Sequence, residues 1–131
     1  MSFPTIIELP KVDIAPELLQ ELENQIHEQG QVVVHCIQVS KYPSLIRIWP
    51  TTHLYDQHSD HVSDLVHAEN ITYFPQWTCV DSGTNYFTLI FSGLPNHCVV
   101  FDLLELCDNQ RGAFKVTSIT RTNSDVYYVF V

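Results

Sequence analysis

The chain has 131 residues, with fifteen Asp and Glu against six Lys and Arg, and a formal net charge of −9 when its seven His are neutral. Hydrophobic residues make up 45% and charged residues 16%, enough apolar material for one core and a composition unlike that of a disordered chain. So acidic a surface repels phosphate backbones and anionic bilayers, which excludes nucleic acid and membrane as expected partners.

The opening "MSFPTIIELPKVD" has neither the basic start nor the apolar run of a secretory leader. No window approaches the ~18 apolar residues that span a bilayer, so a cytoplasmic protein is expected. Next comes "DIAPELLQELENQIHEQG". Asp13 suits a helix cap, Pro16 the first turn, and Glu17 and Glu21 the positive end of the helix dipole. Ile14, Leu18, Leu22 and Ile26 recur every four residues, and Gly30 is a stop. The pattern predicts one amphipathic helix over residues 15–29. Its stripe is expected to pack on the domain, with docking to a partner or a second copy as the alternative.

Beyond Gly30 the grammar is that of strands. "QVVVHCIQV", "SLIRIW", "THLYD", "ENITYF", "QWTCV", "YFTLIF", "CVVFDLLEL", "AFKVTSIT" and "DVYYVFV" are short, β-branched or aromatic runs. Turn signals such as "KYPS", "DSGTN", "SGLPNH" and "CDNQRG" separate them. The expectation is a mainly β single domain over residues 1–131: an antiparallel sandwich of about seven to nine strands after one N-terminal helix. In "DVYYVFV", Val126, Tyr128 and Phe130 share one face and Tyr127, Val129 and Val131 the other. Apolar character on both faces implies cover on both sides, and from it a homodimer or other self-association is expected.

From Tyr55 to His67 the chain reads "YDQHSDHVSDLVH". A solvated loop between two strands is the expected state of this segment. The alternative is a site for zinc or another divalent transition metal built from His53, His58, His61 and His67 with Asp56 or Asp60, residue types that ligate at ~2.0–2.2 Å. The H-x-x-H spacing at His58 and His61 is neither a metalloprotease motif nor supported by a paired Cys motif, so no cofactor is the first expectation. Cys36, Cys79, Cys98 and Cys107 include no C-x-x-C pair and read as free thiols in a reducing compartment, with two disulfides in any of three connectivities as the alternative. His35–Cys36 and His97–Cys98 are adjacent along strands and so point to opposite faces, which leaves neither as a self-contained nucleophile and base.

Asp102 and Glu105 interrupt the apolar run "FDLLE". A carboxylate in such a place needs a partner, and Arg47 and Arg121 are the expected ones, in structural ion pairs. Most of the mid-sequence aromatics are expected in the core; where they face out, Trp49, Tyr55, Tyr73 and Trp77 are the candidate binding residues, since Trp and Tyr anchor interfaces with little entropy loss.

Residues 83–105 carry G-x-x-x-F-T-L-I-F-x-G-L-P followed by F-D-L-L-E, with L-Y-D, a polar turn and L-V-H upstream. Over roughly residues 45–130 this layout resembles the immunoglobulin-like β-sandwich domains of uncharacterised bacterial proteins. The resemblance implies a sandwich and transfers no activity. No nucleophile elbow, phosphate loop or dinucleotide fingerprint is present. The expected role is therefore a non-catalytic module that recognises a protein or a small ligand, with a small metal-binding protein or metal-dependent enzyme as the alternative.

Overall fold

The computed structural model describes residues 30–108 and 112–131. These residues are mainly β, with strands β1 (Gln31–Ser40), β2 (Ser44–Ile46), β3 (Thr52–Asp56), β4 (Val62–Glu69), β5 (Thr78–Val80), β6 (Gly83–Ser92), β7 (Val100–Glu105), β8 (Lys115–Thr120) and β9 (Val126–Phe130). Alternation along each strand decides which side is buried. Val32, Val34 and Cys36 of β1 point inward, as do Phe87, Leu89 and Phe91 of β6 and Phe101 and Leu103 of β7, all at most 1% exposed.

Seven strands form one sheet in the order β8-β7-β3-β4-β6-β1-β9, and β2 pairs with β5 in a small second sheet. Every pairing is antiparallel except β1 with β9, which run parallel from Val33↔Val126 to Ile37↔Phe130. The sheet curls until it is nearly closed into a barrel. Tyr127, near one end of the order, meets Phe101, near the other, edge-on at 5.1 Å between ring centroids. Tyr127 also ties its own corner: its hydroxyl accepts from the Thr122 amide at 2.9 Å and donates to the Asp125 carboxylate at 2.9 Å. Ile48, Ile71, Leu94 and Cys98 from the connections complete the core.

The helix expected over residues 15–29 lies outside the described residues. The sheet is mixed, because the last strand returns beside the first in the same direction. The expected polar loop is shorter than the sequence suggested, since β4 already begins at Val62. Ser63, Leu65 and Ala68 are the inward residues of β4, and the register shifts between Leu65 and His67. That bulge breaks the two-residue period that marks a strand in sequence. "ENITYF" is mostly connection, contributing only the end of β4 and a single bridge from Tyr73 to Ile48.

Candidate functional site

The short β2–β5 sheet and the two segments beside it build a cleft. Ile48, fully buried, anchors one wall: its amide donates to the Thr72 carbonyl at 2.8 Å, and the Phe74 amide donates to the Ile48 carbonyl at 2.9 Å. This staple lays Phe74 flat on Trp49, with ring centroids 3.9 Å apart. The Thr72 amide and hydroxyl both lie 2.9 Å from the Thr78 hydroxyl, which turns the chain back and delivers Trp77. Arg47 then lies among three rings, its guanidinium carbon 3.8 Å from the centre of Trp77, 4.6 Å from Phe74 and 5.6 Å from Trp49. Each such contact is worth about 0.5–1 kcal/mol at an exposed site. One guanidinium nitrogen also donates to the Pro75 carbonyl at 3.2 Å. The cleft has a volume of about 460 Å³, and Gln38, Leu45, Glu105, Asp108 and Phe114 line it beside these groups.

Glu105 also lines the cleft. The residue is 4% exposed, and its carboxylate accepts the Trp49 amide at 2.8 Å through one oxygen and the Phe114 amide at 3.1 Å through the other. Burial pushes its pKa above the usual carboxylate value, opposed by those amides, by Thr52 and by the Arg47 charge. Glu105 therefore ties three segments together: the end of β7, the approach to β3 and the approach to β8.

The expected links from Arg47 or Arg121 to Asp102 or Glu105 give way to other partners. Arg47 stacks on aromatic rings, and Glu105 is held by backbone amides. Arg121 forks onto Asp125, with nitrogen–oxygen distances of 2.6 and 3.1 Å, and donates to the Pro95 carbonyl at 2.8 Å. Asp102 accepts the Ser118 amide and the Gln57 side chain, each at 2.8 Å, at a bulge in the β7–β8 pair where Ser118 has φ 56. Local amides satisfy a carboxylate without ordering a long side chain, and here they hold both acids.

The four expected binding aromatics separate. Trp49 and Trp77 meet in the cleft, Tyr73 makes the bridge to Ile48, and Tyr55 lies on β3 beside His53, 6.1 Å between ring centroids.

The histidines and aspartates of the metal alternative are likewise dispersed. His53 on β3 faces its cross-strand neighbour Asp64 at 3.4 Å, and its Nδ1 is buried without a partner. His61 lies 2.9 Å from the Ser63 hydroxyl, and His67 lies 2.7 Å from Glu69. Asp56 accepts the His58 amide at 3.0 Å and the Ser59 hydroxyl at 2.6 Å, folding the turn after β3, while Asp60 is exposed. Among the described residues no three His, Cys, Asp or Glu side chains are grouped to hold a metal ion.

Asp56, His97 and Cys98 do come together, with His97 Nε2 3.6 Å from the buried Asp56 carboxylate. Burial alone would raise the Asp56 pKa, but hydrogen bonds from Ser59, His58 and Cys98, with the His97 charge, bring it below the ordinary value. Burial, with Asp56 beside it, raises the Cys98 thiol, and burial raises Cys36 to about 12. Both groups stay thiols at neutral pH, the opposite of what an activated nucleophile needs.

Sequence reasoning missed Phe74, Phe114 and Gln38 as cleft residues. Phe74 had a visible signal, since it lies in "YFPQW", but nothing local shows that residues 47–49 and 72–77 meet. Comparison with family models, with curated proteins and with solved structures returns no match for this chain.

Proposed function

We propose that this protein is a non-catalytic binding module whose recognition site is the Arg47 cleft. The observation that carries the reading is the guanidinium held among Trp49, Phe74 and Trp77 in the lining of a cleft of about 460 Å³. That size falls within the range of small-molecule sites, ~300–1,000 Å³, as does a lining of apolar rings with a few fixed polar groups. The rings hold the guanidinium face, so its N–H edge is the part that meets a ligand. The site suits a small anionic ligand with a flat apolar body: a carboxylate against Arg47 and the body between the aromatic walls. The immunoglobulin-like sandwich belongs to the same proposal. In it, β9-β1-β6-β4 and β3-β7-β8 act as two layers around the shared core, although hydrogen bonding runs continuously from one to the other.

Both tryptophans of the chain line this cleft, so their fluorescence reports it directly. Titration with phenylacetate is expected to give a saturable change in tryptophan emission with a Kd of about 1 mM, suitable for a fragment of this size. Phenethylamine, its cationic counterpart, is expected to give none, and Arg47→Ala is expected to abolish the phenylacetate response. Equal binding of the amine would refute anion recognition, and no saturable response to either compound would refute the cleft as a ligand site.

A further inference from the structure

The two ends of the seven-stranded sheet are built differently. β8, at one end, begins with Lys115, shifts register against β7 between Phe101 and Leu103, and turns to φ 56 at Ser118. A Lys and a bulge are devices that keep a strand edge from pairing with another chain. β9, at the other end, carries neither. It runs beside β1 over five consecutive partners without a shift, and residues 126–131, "VYYVFV", contain no charge and no proline.

The hydrogen-bonding phase of β9 is fixed by its two ends. The Val33 amide donates to the Asp125 carbonyl at 2.9 Å, and the Val131 amide donates to the Ile37 carbonyl at 3.0 Å. In a parallel pair every second residue bonds to the neighbour, so Tyr127 and Val129 also turn their N–H and C=O toward β1. The main-chain groups of Tyr128 and Phe130 then point the other way, along an edge on which no described strand pairs. The Val126 amide has only a long contact there, 3.4 Å to the Ser124 hydroxyl. Tyr128 and Phe130 are also each 72% exposed, so open main-chain groups and bare rings fall on the same positions.

We propose that this edge pairs antiparallel with β9 of a second copy, about a two-fold axis at Tyr128. In that register Tyr128 stands opposite its own counterpart and Val126 opposite Phe130. Each of these pairs exchanges both main-chain hydrogen bonds, because all three residues turn their groups outward. The pairing sets apolar side chains against apolar ones and opposes no like charges, in a chain whose net charge of −9 makes most of its surface unfit to meet itself. Asp125, the carboxylate next to the strand, is already paired with Arg121. Two-fold pairs of identical chains are the commonest closed assemblies, and such an interface is self-complementary by construction. Two short strand edges with four rings bury roughly 1,000 Å² in total, at the low end of specific interfaces, so the dimer exchanges readily with monomer. The proposal does not use the Arg47 cleft.

The test is sedimentation of the full chain from low micromolar to millimolar concentration, with amide hydrogen exchange followed by NMR over the same range. Dimer formation with a Kd of about 10–100 µM is expected. Exchange of the Tyr128 and Phe130 amides is expected to slow about tenfold as dimer forms, while those of Tyr127 and Val129 stay protected throughout. Tyr128→Pro removes one outward N–H and no bond to β1, and is expected to remain monomeric. Tyr128→Lys leaves the main chain intact and opposes two cations, as an edge guard does, and is expected to raise the Kd at least tenfold. A chain still monomeric at millimolar concentration overturns the proposal, as does a dimer whose Tyr128 and Phe130 amides exchange as fast as in the monomer. Protection of those amides that is independent of concentration would overturn it too, assigning the edge to another segment of the same chain. Wild-type dimerisation by a folded Tyr128→Pro or Tyr128→Lys chain counts equally against it.

Discussion

At the residue scale, the informative groups are carboxylates that hold backbone. Glu105 bridges two amides with its two oxygens, and Gln offers one oxygen where Glu offers two. Glu105→Gln is therefore expected to cost about 1–3 kcal/mol, the penalty for a buried donor left unpaired, measured by urea unfolding at pH 7. The pH dependence has a definite sign. Because the folded pKa of Glu105 is raised above 4.5, its ionisation opposes folding above the folded value. As pH falls through that value toward 4.5, its contribution to stability increases. Asp56 has the opposite sign: its pKa is lowered from 3.8, so its contribution is present above 3.8 and is lost as pH falls through the depressed folded value. Unfolding free energies measured from pH 7 to 2 are expected to show the first effect abolished in Glu105→Gln and the second in Asp56→Asn.

At the element scale, connections rather than strands hold the specific constraints. Gly83 opens β6 with φ 104, and a Cβ built there has nothing within 4 Å. Gly83→Ala is expected to destabilise the protein by about 1–2 kcal/mol through backbone strain alone, read from the midpoint of thermal or urea unfolding. The β8–β9 connection depends on Asp125, which has φ 54, pairs with Arg121 and accepts from Tyr127. Asn tolerates the same backbone and still accepts a hydrogen bond. Asp125→Asn therefore isolates the charge, and an expected loss of about 1–3 kcal/mol in urea unfolding would measure the ion pair. A loss below about 0.5 kcal/mol would show that backbone geometry, and not charge, holds this corner. At this scale the sequence was legible where alternation was unbroken, as in β1, β6 and β9. It was misleading at β4, where the bulge after Leu65 moves the inward residues out of phase.

At the scale of the whole molecule, one curled sheet wraps the core with seven of the described strands, and β2 and β5 pair apart from it. Phe91 lies within the larger sheet, opposite Val32 of β1 and Leu65 of β4, and is fully buried. Phe91→Ala is expected to cost about 3–5 kcal/mol, with secondary-structure and tryptophan signals lost in one coincident transition. Tryptophan signals that melt first would instead show that the Arg47 cleft, built on the small β2–β5 sheet, unfolds on its own.

From the sequence alone it was legible that the described chain is mainly β, where most of its strands and turns fall, and that Trp49, Tyr55, Tyr73 and Trp77 were the aromatics to watch. These properties follow from local periodicity and side-chain type, which are written residue by residue. Which of these groups meet is a property of the folded chain. Arg47 reaches Trp77 because Ile48 pairs with Tyr73, Glu105 finds the amides of Trp49 and Phe114 at separations of 56 and 9 residues, and the histidines and aspartates of "YDQHSDHVSDLVH" divide between two strands and a turn. Contacts between residues distant in sequence depend on strand order, register and bulges. Those are set by the closing of the whole sheet and by no single segment of it.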